Sequence, residues 1–229
     1  MKISIVIPVH AIEDRWHIIR KAIALADEDE RIAEVLLNCE PNNTLPIRGP
    51  KVRMLHNVKR EYVFRNKYLA VLYSLSEYCI ILDSDNTIDK NYIDTIYAQE
   101  PWKKNTIYQP EFARPSFDFR QFSGKTITRR NVRFHLSIAM FRVMINAMNF
   151  FVCRQTFLDA NKETFNSGFD PKCADSLQVN YNLLKAENEI YVVPGLQYEH
   201  KVHDGSFYKE TSKTYGHLTK ELEGKLCTI

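Results

Sequence analysis

The chain has 229 residues, 45% hydrophobic and 26% charged, the balance of a soluble globule and a length that suits one large domain. Seven glycines and nine prolines exclude collagen-like or low-complexity arms, and five scattered cysteines show neither a disulfide framework nor any C-x-x-C spacing of a zinc cage. A net charge of +3 is too small to argue for nucleic acid. The first element, the apolar run Ile3–Val9, has no small-residue cleavage site, so it reads as a buried strand rather than a signal peptide. No apolar run reaches the ~20 residues of a membrane span. With unpaired cysteines this predicts a cytoplasmic protein, or one at the cytosolic face of a membrane by peripheral contact.

A helix follows with Ile12, Trp16, Ile19 and Ile23 on one stripe. Glu34–Asn38 and Lys51–Leu55 read as strands, separated by the turn-rich Pro41-Asn42-Asn43. A second helix carries Phe64, Tyr68, Leu72 and Leu75, and leads into the most hydrophobic strand, Tyr78–Leu82. Alternating strand and helix predicts an α/β fold, a mostly parallel sheet with helices on both faces. Ligands of such sheets bind beyond the carboxyl ends of the strands.

The second half is less regular. Arg114, Arg120, Lys125, Arg129, Arg130 and Arg133 interleave with Phe117, Phe119, Phe122 and Phe134, with no period. This stretch reads as an arginine-rich loop, or as a surface for a diphosphate, an anionic membrane or an acidic acceptor. A helix over Leu136–Met148, a strand over Asn149–Cys153, a helix over Asp175–Ala186 and a strand over Ile190–Val193 follow. The lysine-rich residues 207–229 read as a surface helix or tail.

The strongest chemical signal is Asp83-Ser84-Asp85-Asn86, just past the buried strand. Two carboxylates one residue apart at a strand end suit a hard divalent cation, Mn²⁺ or Mg²⁺, shared with a diphosphate. The alternative is a turn that caps the helix near Asn91.

Val6-Ile7-Pro8-Val9-His10-Ala11 at the first strand, Glu40 after the second, and Phe64-Arg65-Asn66 ahead of Asp83-Ser84-Asp85 occur in a familiar order. Taken together these segments resemble family 2 glycosyltransferases with the GT-A fold, over residues 1–206. The resemblance implies a nucleotide-binding half over about 1–110 and an acceptor-side half over about 111–206. It implies that Pro8, Val9, His10 and Glu40 embrace the uracil and ribose of a nucleotide sugar, with Arg65 and Asn66 nearby and Asp83, Ser84 and Asp85 beside them. His10, Ala11 and Glu40 depart from the family's Tyr, Asn and Asp. Ser167-Gly168-Phe169-Asp170 and Ala174-Asp175 resemble the family's acceptor-side run, whose second acid is the general base. That position is Asp175, with Asp170 as the fallback. An ordinary helix cap is the other reading of Asp175, and Ala174 replaces the first acid of the pair. His203-Asp204-Gly205-Ser206 resembles the closing segment, which implies His203 (or His200) beside Asp85 on the metal and Ser206 on a phosphate.

The implied activity is inverting, metal-dependent hexosyl transfer from a nucleotide-diphosphate sugar, UDP-linked, to a glycan or other hydroxyl acceptor. Two alternatives stay open. One is a nucleotide-sugar-binding module without catalysis, suggested by Ala174. The other is a haloacid-dehalogenase-like phosphatase, since Asp83-x-Asp85-x-Thr87 matches that motif.

Overall fold

A computed structural model describes residues 1–10, 12–41, 48–200 and 207–229, with side chains throughout except at 12–14 and 207–210. In chain order the elements are β1 (Ile3–Val9), α1 (Ile12–Glu28), β2 (Ile32–Cys39), β3 (Val52–His56), α2 (Tyr62–Tyr73), β4 (Tyr78–Ile81), β5 (Asn86–Thr87) and α3 (Lys90–Tyr97). Then come β6 (Thr106–Pro115), β7 (Phe117–Asp118), β8 (Thr126–Ile127), α4 (Val132–His135), α5 (Ala139–Ile145) and β9 (Phe151–Cys153). The chain ends with α6 (Arg154–Ser167), α7 (Asp175–Lys185), β10 (Glu189–His200) and α8 (Phe207–Leu226).

One sheet runs through the molecule in the order β3-β2-β1-β4-β9-β6-β10-β5. β1, β2, β3 and β4 pair in parallel, as do β6 and β10, and β9 alone runs against both β4 and β6. The expected α/β architecture with a mostly parallel sheet is therefore present. All seven residues of β1 are buried, as a central strand covered on both faces requires. Its polar residue is satisfied: Ser4 Oγ donates to Glu34 Oε1 at 2.8 Å, and the same oxygen accepts the Leu75 N–H at 2.6 Å. Arg53 completes this buried network on Glu34.

Several sequence expectations change. The second helix stops at Tyr73, Ser74 turns extended, and Leu75 is exposed. The helix expected over 136–148 is shorter, α5 alone, which starts after Ile138, whose backbone is extended, and α4 ends before that span at His135. The basic stretch is not one irregular loop: β7 pairs with β6, β8 pairs with β10, and Phe119 and Phe122 lie in the core. Two of its arginines pair with acids of the chain, Arg120 with Asp118 at 2.5 Å and Arg129 with Glu187 at 2.5 Å.

The tail is a docked helix. α8 packs on α7 and on the 3-10 turn Lys172–Ala174, and buries Leu222 and Leu226. Leu226→Ala should destabilise the protein by about 2–4 kcal/mol, the cost of a buried leucine and its cavity. Urea denaturation measures it, and a change below about 0.5 kcal/mol, the range of surface substitutions, would mean that α8 contributes nothing to the core.

Candidate functional site

The carboxyl ends of β1, β2 and β4 open on the same edge of the sheet. Leu82 N–H donates to the Val6 carbonyl at 3.0 Å, and Glu40 N–H to the Val9 carbonyl at 3.0 Å. Pro8 and Val9 are therefore buried strand positions, and exposed His10 follows at the strand end. Arg60 approaches the His10 imidazole at 3.3 Å.

Glu40 is not a solvated turn residue. It is buried, and its carboxylate accepts the Glu61 N–H at 2.9 and 3.2 Å, which ties the end of β2 to the start of α2. Burial pushes its carboxyl above the usual glutamate value, although the Glu61 N–H pulls the other way. Arg65 is likewise no free surface charge. Its Nε donates to Glu61 Oε2 at 2.7 Å and its Nη1 to the Phe165 carbonyl at 2.6 Å, with the guanidinium 4.1 Å from the Phe165 ring centre. It bolts α2 to the end of α6. Asn66 is buried, and Asn38 Nδ2 donates to both its carbonyl and its Oδ1, which joins α2 to the end of β2.

The acidic turn leaves β4 at Asp83. Asn86 N–H donates to the Asp83 carbonyl at 3.0 Å, closing the turn around Ser84 and Asp85. Asn149 holds the Asp83 backbone, its Oδ1 accepting the Asp83 N–H at 2.8 Å. The helix after this turn is capped by Asp89, whose side chain accepts the Tyr92 N–H, so the acids at 83 and 85 are released from capping.

The residue that sequence reasoning missed is Lys67. Its Nζ lies 2.9 Å from Asp83 Oδ1 and 2.8 Å from Asp175 Oδ2, and its side chain is 3% exposed. One ammonium thus joins the strand-end acid to the expected base, 92 positions apart in sequence. The signal was its place three residues after Phe64 on the inward face of α2, where a lysine must find a buried partner. Burial alone would lower the Lys67 pKa, but Asp175 and Asp83 together raise it above the usual lysine value.

Asp175 opens α7, but the cap position is Ala174 and no side chain caps this helix. The capping alternative for Asp175 is therefore corrected: its carboxylate turns to Lys67. Asp170, the fallback, is held by its neighbour, accepting from Lys172 Nζ at 2.7 Å and Lys172 N–H at 3.0 Å. Gly168 lets the chain leave α6 toward this segment, with φ +72 in the left-handed region. Lys172 (φ 54) and Tyr62 (φ 57) are also left-handed without being glycine, and Lys172 Nζ sits 4.4 Å from the Tyr62 ring centre. Such strain costs about 1–3 kcal/mol per residue and collects at functional sites.

Burial pushes the Asp83 carboxyl up to about 6, with Asp85 and Asp175 adding to the rise and Lys67 opposing it. A raised folded-state value binds a proton more readily than the unfolded chain does. Its stabilising contribution is full below the unfolded value near 3.8 and is lost as pH rises through about 6. The stability of the wild type minus that of Asp83→Asn should therefore grow as pH falls from 7 to 4.5. Urea titrations at the two pH values test this, and a constant difference would contradict it.

For a cation, Asp85 offers a carboxylate that is 24% exposed, 3.7 Å from Arg15 Nη1. That distance is an ion pair too long for a hydrogen bond. The antiparallel pairing of His200 with Asn86 brings the end of β10 beside this turn. One carboxylate plus an imidazole and phosphate oxygens suits Mn²⁺ or Mg²⁺, so the chemistry of the donor set fits. Among the described residues no group of three or more His, Cys, Asp or Glu is placed to hold a metal ion. His203 and Ser206 lie outside the described residues, as does Asn42.

No protein-family model matches the chain, and no curated protein matches it in sequence. Solved structures match its fold. S. aureus TarS 1-349 aligns with TM-score 0.67 and 13% identity over 97% of this chain and 64% of that one. The architecture is that of a GT-A domain. TarS in complex with UDP-GlcNAc aligns with TM-score 0.66 at 13% identity, over 97% of this chain and 65% of that one. GalNAc-T7 with UDP, GalNAc and Mn²⁺ aligns with TM-score 0.62 and 13% identity over 89% of this chain and 44% of that one. The chain thus spans less than two thirds of the length of each of these structures. No helix among the described residues is long and apolar enough to cross a membrane.

Proposed function

We propose that the chain is an inverting glycosyltransferase of the GT-A type that moves a sugar from a UDP-linked donor to a hydroxyl of a glycan or similar acceptor. The observation that supports it is the shared ammonium of Lys67, which holds the strand-end acid and the acid at the start of α7 at one place beyond the sheet. Solved structures of the same fold, with UDP or UDP-GlcNAc named in their complexes, add support.

In this reading Pro8, Val9, His10, Glu40, Arg65 and Asn66 build the uracil and ribose side. Glu40 and Asn66 do so by fixing the end of β2 to α2, and Arg65 by tying α2 to the end of α6. Asp83 and Ser84 place the ribose and phosphates. Asp175 Oδ1, which has no hydrogen-bond partner among the described residues, takes the proton from the acceptor hydroxyl. The acceptor oxygen then forms its bond to the anomeric carbon as the bond from that carbon to the diphosphate oxygen breaks, from the opposite face. Mn²⁺ or Mg²⁺ held by Asp85, with His203 or His200, would offset charge on the departing diphosphate, to which Ser206 donates.

Residues 1–206 form the transferase domain in this reading, and the docked 207–229 helix braces the turn before Asp175. The phosphatase alternative places its acidic motif on an opening strand, whereas here β1, β2 and β3 precede β4. The test is a panel of nucleotide sugars with Mn²⁺, beginning with UDP-GlcNAc and read out by released nucleotide. Release of UDP supports the reading. Donor binding without turnover on any acceptor leaves the binding module, and no binding of any member overturns both.

A further inference from the structure

We propose that Lys67 is a positioning residue that couples the two halves of the site, so that a ligand engaging Asp83 on the nucleotide side orders Asp175 on the acceptor side. The proposal rests on the glycosyltransferase reading for the roles of the two acids, but its geometry stands by itself.

An ammonium has three donors and carries one charge. Two of those donors are committed, at 2.9 Å to Asp83 Oδ1 and at 2.8 Å to Asp175 Oδ2. Two carboxylates therefore share one positive charge on a buried ammonium, Asp175 mostly buried and Asp83 partly open to solvent. Whatever takes up the negative charge or the lone pairs of Asp83 lets Lys67 lean toward Asp175. The elements on each side are fixed, so the change is confined to this triad. Asn149 grips the Asp83 backbone, and Asn38 with Asn66 anchors the turn of α2 that carries Lys67.

The α7 side is prepared for such control. Asp175 has no capping duty, so its orientation depends on Lys67. α7 itself is packed with buried polar groups. Asn182 donates to Asn161 and Thr164, Gln178 donates to Asn182, and Asn180 donates to the Ile145 carbonyl. A helix held by directional bonds keeps the register in which its first residue is set. Lys67 also fixes which oxygen of Asp175 is used up, leaving Oδ1 for a substrate.

The test is hydrogen exchange of the full chain with and without UDP and Mn²⁺, on the wild type and on Lys67→Met, with UDP affinity measured by calorimetry. In the wild type, UDP should slow exchange in the first turn of α7 by about tenfold, a coupling of ordinary allosteric size. In Lys67→Met, UDP should still bind while that protection at α7 disappears. Hydrolysis of UDP-GlcNAc supplies a second readout. Its kcat should fall by ~10²-fold while the donor KM moves by less than about threefold, the pattern of lost transition-state rather than ground-state contact. A merely structural role would scale all signals with the folded fraction. Lys67→Gln, which keeps length and a donor without charge, replaces Lys67→Met if that variant fails to fold. UDP binding with the same α7 protection in wild type and variant, or with none in either, overturns the coupling alone. A wild type that binds no UDP overturns the nucleotide reading and the coupling with it.

Discussion

Asp175→Asn should lower sugar transfer by about 10²-fold or more, the scale of a lost general base, while UDP affinity stays within a few-fold. The substitution keeps the shape of the side chain and an oxygen that Lys67 can reach, but removes the group that takes the acceptor proton. It also reduces the charge balancing a buried ammonium. Asp83 remains as partner, so the cost in stability should be about 1–3 kcal/mol, the scale of a buried polar group that loses its counterpart. A cap-only role would give the opposite result, normal turnover with a small stability change, but the structure assigns the cap to Ala174. Asp170→Asn is the control. Its carboxylate is already engaged by Lys172 at 2.7 Å, and its effect on transfer should be milder. Near wild-type turnover in Asp175→Asn would transfer the base role to Asp170, and full activity in both variants would rule out the inverting mechanism with an aspartate base.

The first half of the fold was legible because its strands are buried on both faces. Ile3–Val9 and Tyr78–Ile81 are runs of apolar residues that a surface segment would not carry. The second half hides its elements in polar sequence. β6 is the longest strand missed. Gln109, Pro110, Glu111 and Arg114 interrupt it, and a proline inside a run normally argues against a central strand. β10 was expected to end at Val193, since Pro194-Gly195 reads as a stop. Gly195, at φ +79, instead carries a bulge, and pairing with β6 resumes at Gln197. α6 was missed because only Phe157, Leu158 and Asn161 of its fourteen residues are buried. At the site, the acids could be picked from strand-end position and motif order, but their common partner could not. Sequence shows that Lys67 faces inward, yet not that Asp83 and Asp175 arrive there from β4 and α7.

Asp85→Ala should abolish the Mn²⁺-dependent part of UDP binding while leaving the fold intact. Asp85 lies beyond β4 in the turn closed by Asn86, and its ion pair with Arg15 is long and partly exposed. Such pairs contribute about 0–1 kcal/mol, so the variant should unfold within that margin of the wild type. Binding should respond far more strongly. Loss of groups that merely orient a metal ligand costs about 10–100-fold in affinity, and loss of the carboxylate itself should reach at least the upper end. Arg15→Ala separates two roles for the same carboxylate. If Arg15 only competes for Asp85, its removal should strengthen the response of UDP affinity to Mn²⁺. If Arg15 itself replaces the cation, its removal should weaken UDP binding in the absence of metal. Calorimetry of UDP with and without Mn²⁺, on the wild type and both variants, decides between them. Unchanged metal dependence in a folded Asp85→Ala protein would remove Asp85 from the metal site. Asp83, already committed to Lys67 at 2.9 Å, would then have to exchange that ammonium for the ion.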